Sequence, residues 1–358
     1  MMPESRLAQP EPFEFDSESQ AGFSPHSFTM LSRVAESIYW MARYVERAEN
    51  IARFIDVNIT FTLDAGDNDF GQWEPLIQIT GDEEYYDEHY TTHDHLSVIQ
   101  FLAFDSKYVN SLISSLNMAR ENARTVREAI PSEVWEQLNE LYHFVRGTKA
   151  SGATLEGLAE FFQKVKQHSH LYSGLLDATM SRGDGWHFAN MGRMMERADK
   201  TSRLLDVKYY TLLPKVSDVN TTIDDLQWSA LLRSVSGFEM YRKRFHAITV
   251  QRVAEFLVRD PVFPRSCRFC LGQALESLRA IIENGQARET NSALEKLTAL
   301  KIHLDELDMR TTIDCGMHEF IDDFQLRLNE VGAAIFETYF DRAQLDLIPL
   351  VSGQSQSQ

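Results

Sequence analysis

Apolar residues recur at helical spacing along most of this chain, with few Gly or Pro residues to break the pattern. At ~100° per residue, Tyr44, Val45, Ala48, Ile51, Ala52 and Ile55 share one face. Arg43, Glu46, Arg47, Glu49, Arg53 and Asp56 share the other. The spacing predicts an amphipathic helix over 31–64. A second is predicted over 185–213, stopped by Pro214, with Met194, Met195, Ala198, Thr201, Ser202 and Leu205 on its apolar face. Further helices are expected over 107–129, 153–181, 262–284, 290–304 and 313–341, and from Pro131 onward. Residues 66–72 and 81–95 read as polar loop or helix-end material, and no run alternates strongly enough for a strand. The expected class is all-α.

The two amphipathic helices are versions of each other. Arg43, Glu46, Arg47, Ala48, Arg53, Asp56 and Val57 reappear 150 positions later as Arg193, Glu196, Arg197, Ala198, Arg203, Asp206 and Val207. The likeness continues at an offset of 155: Trp73 with Trp228, Phe101 with Phe256, Asp105 with Asp260, Ser111 with Ser266, Glu121 with Glu276 and Arg124 with Arg279. The chain therefore reads as a tandem duplication folded with pseudo-twofold symmetry into one helical bundle. Unit one spans about 30–145, a connecting helix 153–181, and unit two 181–342. Residues 1–29 read as a disordered acidic leader, with Met30 a natural start of the folded unit, and 346–358 as a C-terminal tail that is Ser/Gln-rich from Val351.

Composition narrows the partners. The net charge is −18 and the pI near 5.0, a poor match to nucleic acid or an anionic membrane. No apolar run approaches the ~20 residues that span a bilayer. The acidic start has no apolar segment of a secretory signal. A cytoplasmic protein is expected. Three cysteines make no disulfide framework.

The chemistry-bearing candidates each have a structural alternative. Arg43, Glu46 and Arg47 form an i, i+3, i+4 group, repeated at Arg193, Glu196 and Arg197. Such pairs on one helix are ordinarily a solvated face worth a few tenths of a kcal/mol each. Here the charges repeat while the apolar face drifts, from Tyr44 to Met194 and Ile51 to Thr201. That points to a specified polar network, with Arg53, Asp56, Arg203 and Asp206 as further members. It is either a buried salt-bridge lattice or a site for a carboxylate or phosphate, which arginine recognises bidentately. Arg182, Gly183, Asp184 and Gly185 precede the second helix, as an anion site at its N-terminus or as simple capping. Asp105 with Ser111, and Asp260 with Ser266, read as capping pairs. Arg120, Arg124 and Arg127 share a face as surface charge pairs or part of a site. Cys267 and Cys270 align with Leu112 and Ser115, so they read as helix-face positions and not a metal or redox pair. The acid- and His-rich stretch 82–95 reads as acidic surface. No phosphate loop, dinucleotide motif, nucleophile elbow or HExxH is present, so no cofactor or metal is assigned.

Met30 to Asn50, with Glu46-Arg47-Ala48-Glu49 at its core, resembles the opening of the bacterial alpha-E family. So do Ala119 to Arg124, Gly185-Trp186-His187-Phe188, Met195 to Asp199 and Phe263-Pro264-Arg265-Ser266. The resemblance covers about 30–345. It implies an all-helical fold of uncharacterised function, encoded near a circularly permuted ATP-grasp protein and a transglutaminase-like protein. The expectation is an accessory component of a peptide-ligating or amide-bond-processing system. Its partners would be that ligase and transglutaminase-like protein, and its ligand a peptide or anionic intermediate held by the Arg/Glu helices. One alternative is an enzyme acting on a peptide or amide, with Glu46 or Glu196 as acid–base group. Another is a structural scaffold.

Overall fold

The computed structural model describes residues 30–65, 73–148, 152–212, 222–286 and 291–341. The expected leader, the loop 66–72 and the C-terminal tail lie outside them.

The described chain is helical throughout, with no strand among the described residues. The first long helix is α1, Ser32–Ala65. Three short helices follow: α2, Glu74–Gln78; α3, Glu83–His89; and α4, His95–Ile99, which widens into a π-type turn to Phe104. Then come α5, Leu112–Thr125; α6, Ser132–Gly147; and α7, Leu155–Thr179. The second long helix is α8, Asp184–Leu212. After it lie α9, Thr222–Ser234; α10, Phe238–Arg244; α11, Val250–Arg259; and α12, Cys267–Ile281. The last three are α13, Ser292–Glu306; α14, Met309–Cys315; and α15, Met317–Ile335, which continues in a π-type turn to Phe340.

Helix α1 is the axis of the bundle. It packs along α8, α5 and α7, and α8 in turn packs along α12. The expected apolar face is buried: Val45, Ala48, Ile51, Ala52 and Ile55 are all at or below 7% exposure. The core beneath it is one continuous cluster, from Ile38 and Met41 through Phe162 and Trp228 to Phe324. Burying each such side chain contributes ~1.5–3 kcal/mol.

Two boundaries differ from the periodicity. The helices expected from 107 and 262 start later, at Leu112 and Cys267, because Ser111 and Ser266 are their N-caps. Each Ser Oγ accepts the backbone N–H three residues on, Ser114 at 3.2 Å and Phe269 at 3.1 Å. Asp105 and Asp260 instead close the preceding helices. The Asp105 carboxylate accepts the Lys107 N–H at 2.8 Å, and Asp260 accepts those of Val262 and Phe263 at 2.8 Å. The helix expected over 313–341 is split at Gly316. Its φ of +131° is a conformation that side chains rarely adopt.

Candidate functional site

The site begins with a close helix crossing. A Cβ on Gly192 of α8 would lie 2.4 Å from the Tyr39 carbonyl oxygen of α1, so only glycine lets the backbones approach this far. Two turns further along α1 and one turn further along α8, the two Glu-Arg dipeptides of the chain face each other.

Their contacts are reciprocal. Arg47 Nε donates to Glu196 Oε1 at 2.7 Å and Arg47 Nη2 to Oε2 at 3.1 Å. Arg197 Nε donates to Glu46 Oε1 at 2.8 Å and Arg197 Nη2 to Oε2 at 2.7 Å. Each carboxylate thus takes a bidentate guanidinium from the opposite helix. The charged face of α1 is not solvated: Glu46, Glu49, Asn50 and Arg53 are each 5% exposed or less, and Glu196 is 0%. These groups are buried because α1 has neighbours on every side.

Around this exchange the two halves differ. At Glu196 the remaining cations come from the long helices. Arg43 Nε donates at 2.9 Å, and Lys200 lies 3.9 Å from Glu196 and 3.1 Å from Asp199. At Glu46 the second cation comes from the turn before α12. Arg265 Nη1 donates to Glu46 at 2.8 Å and to Asn50 at 3.0 Å, and Nη2 donates to Glu49 at 2.7 Å. The aligned positions explain the swap: Arg265 corresponds to Asn110, and Asn50 to Lys200. Arg47 Nη1 donates to Asn110 at 2.7 Å, whose amide donates to Asp82 at 3.1 Å. Arg193, the counterpart of Arg43, does not reach Glu46. It donates to Asn190 at 2.9 Å, and its Nε is buried with no hydrogen-bond partner.

The electrostatics follow from this packing. Burial would raise the Glu46 carboxyl, but the guanidiniums of Arg197 and Arg265 outweigh it and hold it well below the usual range. Burial acts likewise on Glu196, and Arg47, Arg43 and Lys200 outweigh it. Both stay ionised. Beside them, His170 lies 3.1 Å from Glu49 with its side chain 62% exposed, and partial desolvation together with the charges of Arg53 and Arg265 lowers its imidazole to about 4.

The Arg265 side chain fills the Glu46 half. With Asn110 in its place, the Glu196 half holds a cleft of about 200 Å³. Arg43, Arg47, Lys200 and Arg203 line it, opposed on its wall by Asp199. Arg203 Nε donates to Asp199 at 2.9 Å, while its terminal nitrogens make no hydrogen bond among the described residues. A second cavity of about 280 Å³ lies beyond Arg43, walled by Trp40, Leu328, Phe336 and Phe340.

A family model named Alpha-E, described as a predicted alpha-helical domain with a conserved ER motif, matches residues 30–340. The chain belongs to the Alpha-E family. Among curated proteins it is similar to the Uncharacterized protein Mb2597 of Mycobacterium bovis and the Uncharacterized protein Rv2567 of Mycobacterium tuberculosis. Each is 24% identical over 297 residues, 78% of this chain and 32% of the relative. The chain thus spans about a third of the length of the curated relatives it matches. No solved structure matches.

In this Alpha-E chain the lattice gathers Arg43, Glu46, Arg47, Glu196 and Arg197, with Arg53 and Arg203 at its margins. Arg53 pairs with Glu49 and donates to Ser236. Asp56 and Asp206 do not join it. Asp56 takes Lys166 of α7 at 2.5 Å, and Asp206 faces His318 of α15 at 2.7 Å. Arg120 and Arg124 lie apart: Arg120 rests over Trp135 and Tyr142, and Arg124 pairs with Glu121 at 2.8 Å. Arg182 stacks on Trp186 at 3.9 Å and donates to the Asp177 carbonyl at 3.1 Å, so its guanidinium is engaged at the α7–α8 turn. Asp184 accepts from the Asn284 amide at 2.8 Å. In the stretch 82–95, Asp94 caps α4, and Asp82 accepts the Tyr108 hydroxyl at 2.5 Å.

Arg265, Lys200, Asp199 and Asn110 belong to the site but are not marked by the spacing, which does mark Glu49. Arg265 stood inside a turn motif whose Asp and Ser drew attention as caps. Its charge, between Pro264 and a buried cap, was the available signal.

Proposed function

We propose that this Alpha-E chain is a non-catalytic binding component that holds an anionic, carboxylate- or phosphate-bearing ligand for a partner enzyme. The partner fitting the resemblance is an ATP-grasp-type ligase in peptide ligation or amide-bond processing, with a transglutaminase-like protein in the same system. One observation carries the reading: in a chain of net charge −18, four cations from both Glu-Arg helices converge on one cleft. A local cationic cleft in an acidic protein concentrates anions from solution. The matched region is a third of the relatives' length, which accords with a domain working beside other segments.

The lattice divides the work. The Glu46 half, filled by Arg265, locks the helices. In the Glu196 half, Lys200 and Arg203 line the open cleft and share the single Asp199 carboxylate, an excess of positive charge that a ligand anion can meet. An acid–base role needs a carboxyl that exchanges protons near neutral pH, and the arginines keep Glu46 and Glu196 ionised.

Two measurements test this. Calorimetric titration with inorganic phosphate and acetate is expected to show binding that Arg203→Met and Lys200→Met each weaken at least tenfold. Binding unchanged in both variants removes the cleft reading. Affinity capture from native extract is expected to recover an ATP-grasp-type ligase, and capture without one removes the partner assignment.

A further inference from the structure

We infer that the ligand of the open half is a short peptide with two apolar side chains and a free C-terminal carboxylate, a proposal that rests on the anion-binding reading above. The two cavities are neighbours: Arg43, Asp199 and Asn329 line both and form the partition between them. Their volumes of about 280 Å³ and 200 Å³ together match a small-ligand site of ~300–1,000 Å³.

The chemistry changes along this cleft. The outer chamber is aromatic and aliphatic. Trp40 sits beneath Arg43, 4.9 Å from guanidinium carbon to ring centroid, and Phe336 at its edge is 46% exposed. The partition combines a guanidinium donor, a carboxylate acceptor and a primary amide, a set that satisfies the N–H and C=O of one peptide bond. The inner chamber has an apolar floor of Ile51, Phe54, Leu76 and Ile79 under the cations Lys200 and Arg203. A C-terminal carboxylate meets those cations while its own side chain rests on the floor. The preceding side chain enters the outer chamber. A bare anion such as phosphate leaves the outer chamber unused, and a neutral apolar ligand leaves Lys200 and Arg203 sharing the single Asp199 carboxylate.

Gly332 allows the outer chamber to be blocked without disturbing the fold. It lines that chamber, and a Cβ there would meet no heavy atom within 4 Å. The full chain is titrated with N-acetyl-phenylalanyl-leucine, its C-terminal amide, N-acetyl-glycyl-leucine and acetate. The free acid is expected to bind at least tenfold more tightly than the amide and than the glycyl peptide. Gly332→Leu is expected to remove the advantage of phenylalanyl over glycyl, and Phe336→Ala, a second variant acting on the same wall, to reduce it. Circular dichroism checks that both variants are folded. Equal affinity for acid and amide overturns the proposal, as does equal affinity for the phenylalanyl and glycyl peptides. If the acids and acetate bind alike and Gly332→Leu changes nothing, the cleft is an anion site and only the peptide proposal falls. If neither peptides, acetate nor phosphate bind, the anion-binding reading falls with it.

Discussion

Arg47 donates to both oxygens of Glu196, a carboxylate with no exposed surface, across the crossing of the two longest helices. Three cations, Arg43, Arg47 and Lys200, surround that one charge. Removing it leaves them buried against one another. Glu196→Gln is expected to lower unfolding free energy by ~3–5 kcal/mol, read as a shift in urea midpoint. Combining it with Arg47→Met is expected to cost less than the two single changes added, since the two residues share partners.

The pH dependence has a definite sign. Glu46 and Glu196 have folded pKa values below the unfolded ~4.3, so folding favours their ionised forms. Their contribution is complete above the unfolded value and drains as pH falls below it toward the folded one. His170 is lowered from 6.5 to about 4, so the unfolded chain binds its proton first, and stability falls as pH drops through that window. Melting temperature is therefore expected to decline in two stages on acidification. His170→Gln should flatten the upper stage, and Glu46→Gln the lower. In an imidazole NMR titration His170 should remain neutral at pH 5.5.

Two glycines in long helices should respond in opposite directions. Gly192→Ala drives a methyl into the Tyr39 backbone and is expected to destabilise by ~2–3 kcal/mol, because backbone cannot step aside as a side-chain tip can. Gly332→Ala points into open space within α15 and is expected to stabilise by ~0.5–1 kcal/mol through helix propensity. Thermal unfolding of the two variants checks both signs.

The cysteines should separate cleanly in a thiol-labelling experiment on the native protein. Cys315 is exposed, whereas Cys267 and Cys270 are 2% and 0% exposed. Burial pushes the Cys270 thiol up to about 12 and raises Cys267 well above its ordinary value, leaving almost no thiolate. One equivalent of maleimide is expected to react quickly at pH 7.5, with the other two reacting only in denaturant.

Much of the fold was legible in local pattern. Helix periodicity is a property of neighbours three and four apart, so Ser32–Ala65 and Asp184–Leu212 fall close to where apolar spacing and Pro214 put them. The helix starts at Leu112 and Cys267 were missed by about five residues because a preceding turn and an N-cap both use small polar side chains. Only backbone geometry shows which residue does which.

The sequence by itself determined that the chain is all-α, that two of its helices share one charged design, and which residues carry those charges. It did not determine where the charged faces point. Whether a polar face meets water or another helix depends on where that helix sits in the bundle, and α1 sits at its axis. Partners such as Arg265 and Glu46, 219 positions apart, meet only because α1, α8 and α12 are packed together. The tertiary structure alone decided that Arg265 fills one half of the lattice. Asn110 leaves the other half open because its shorter side chain cannot fill the same space.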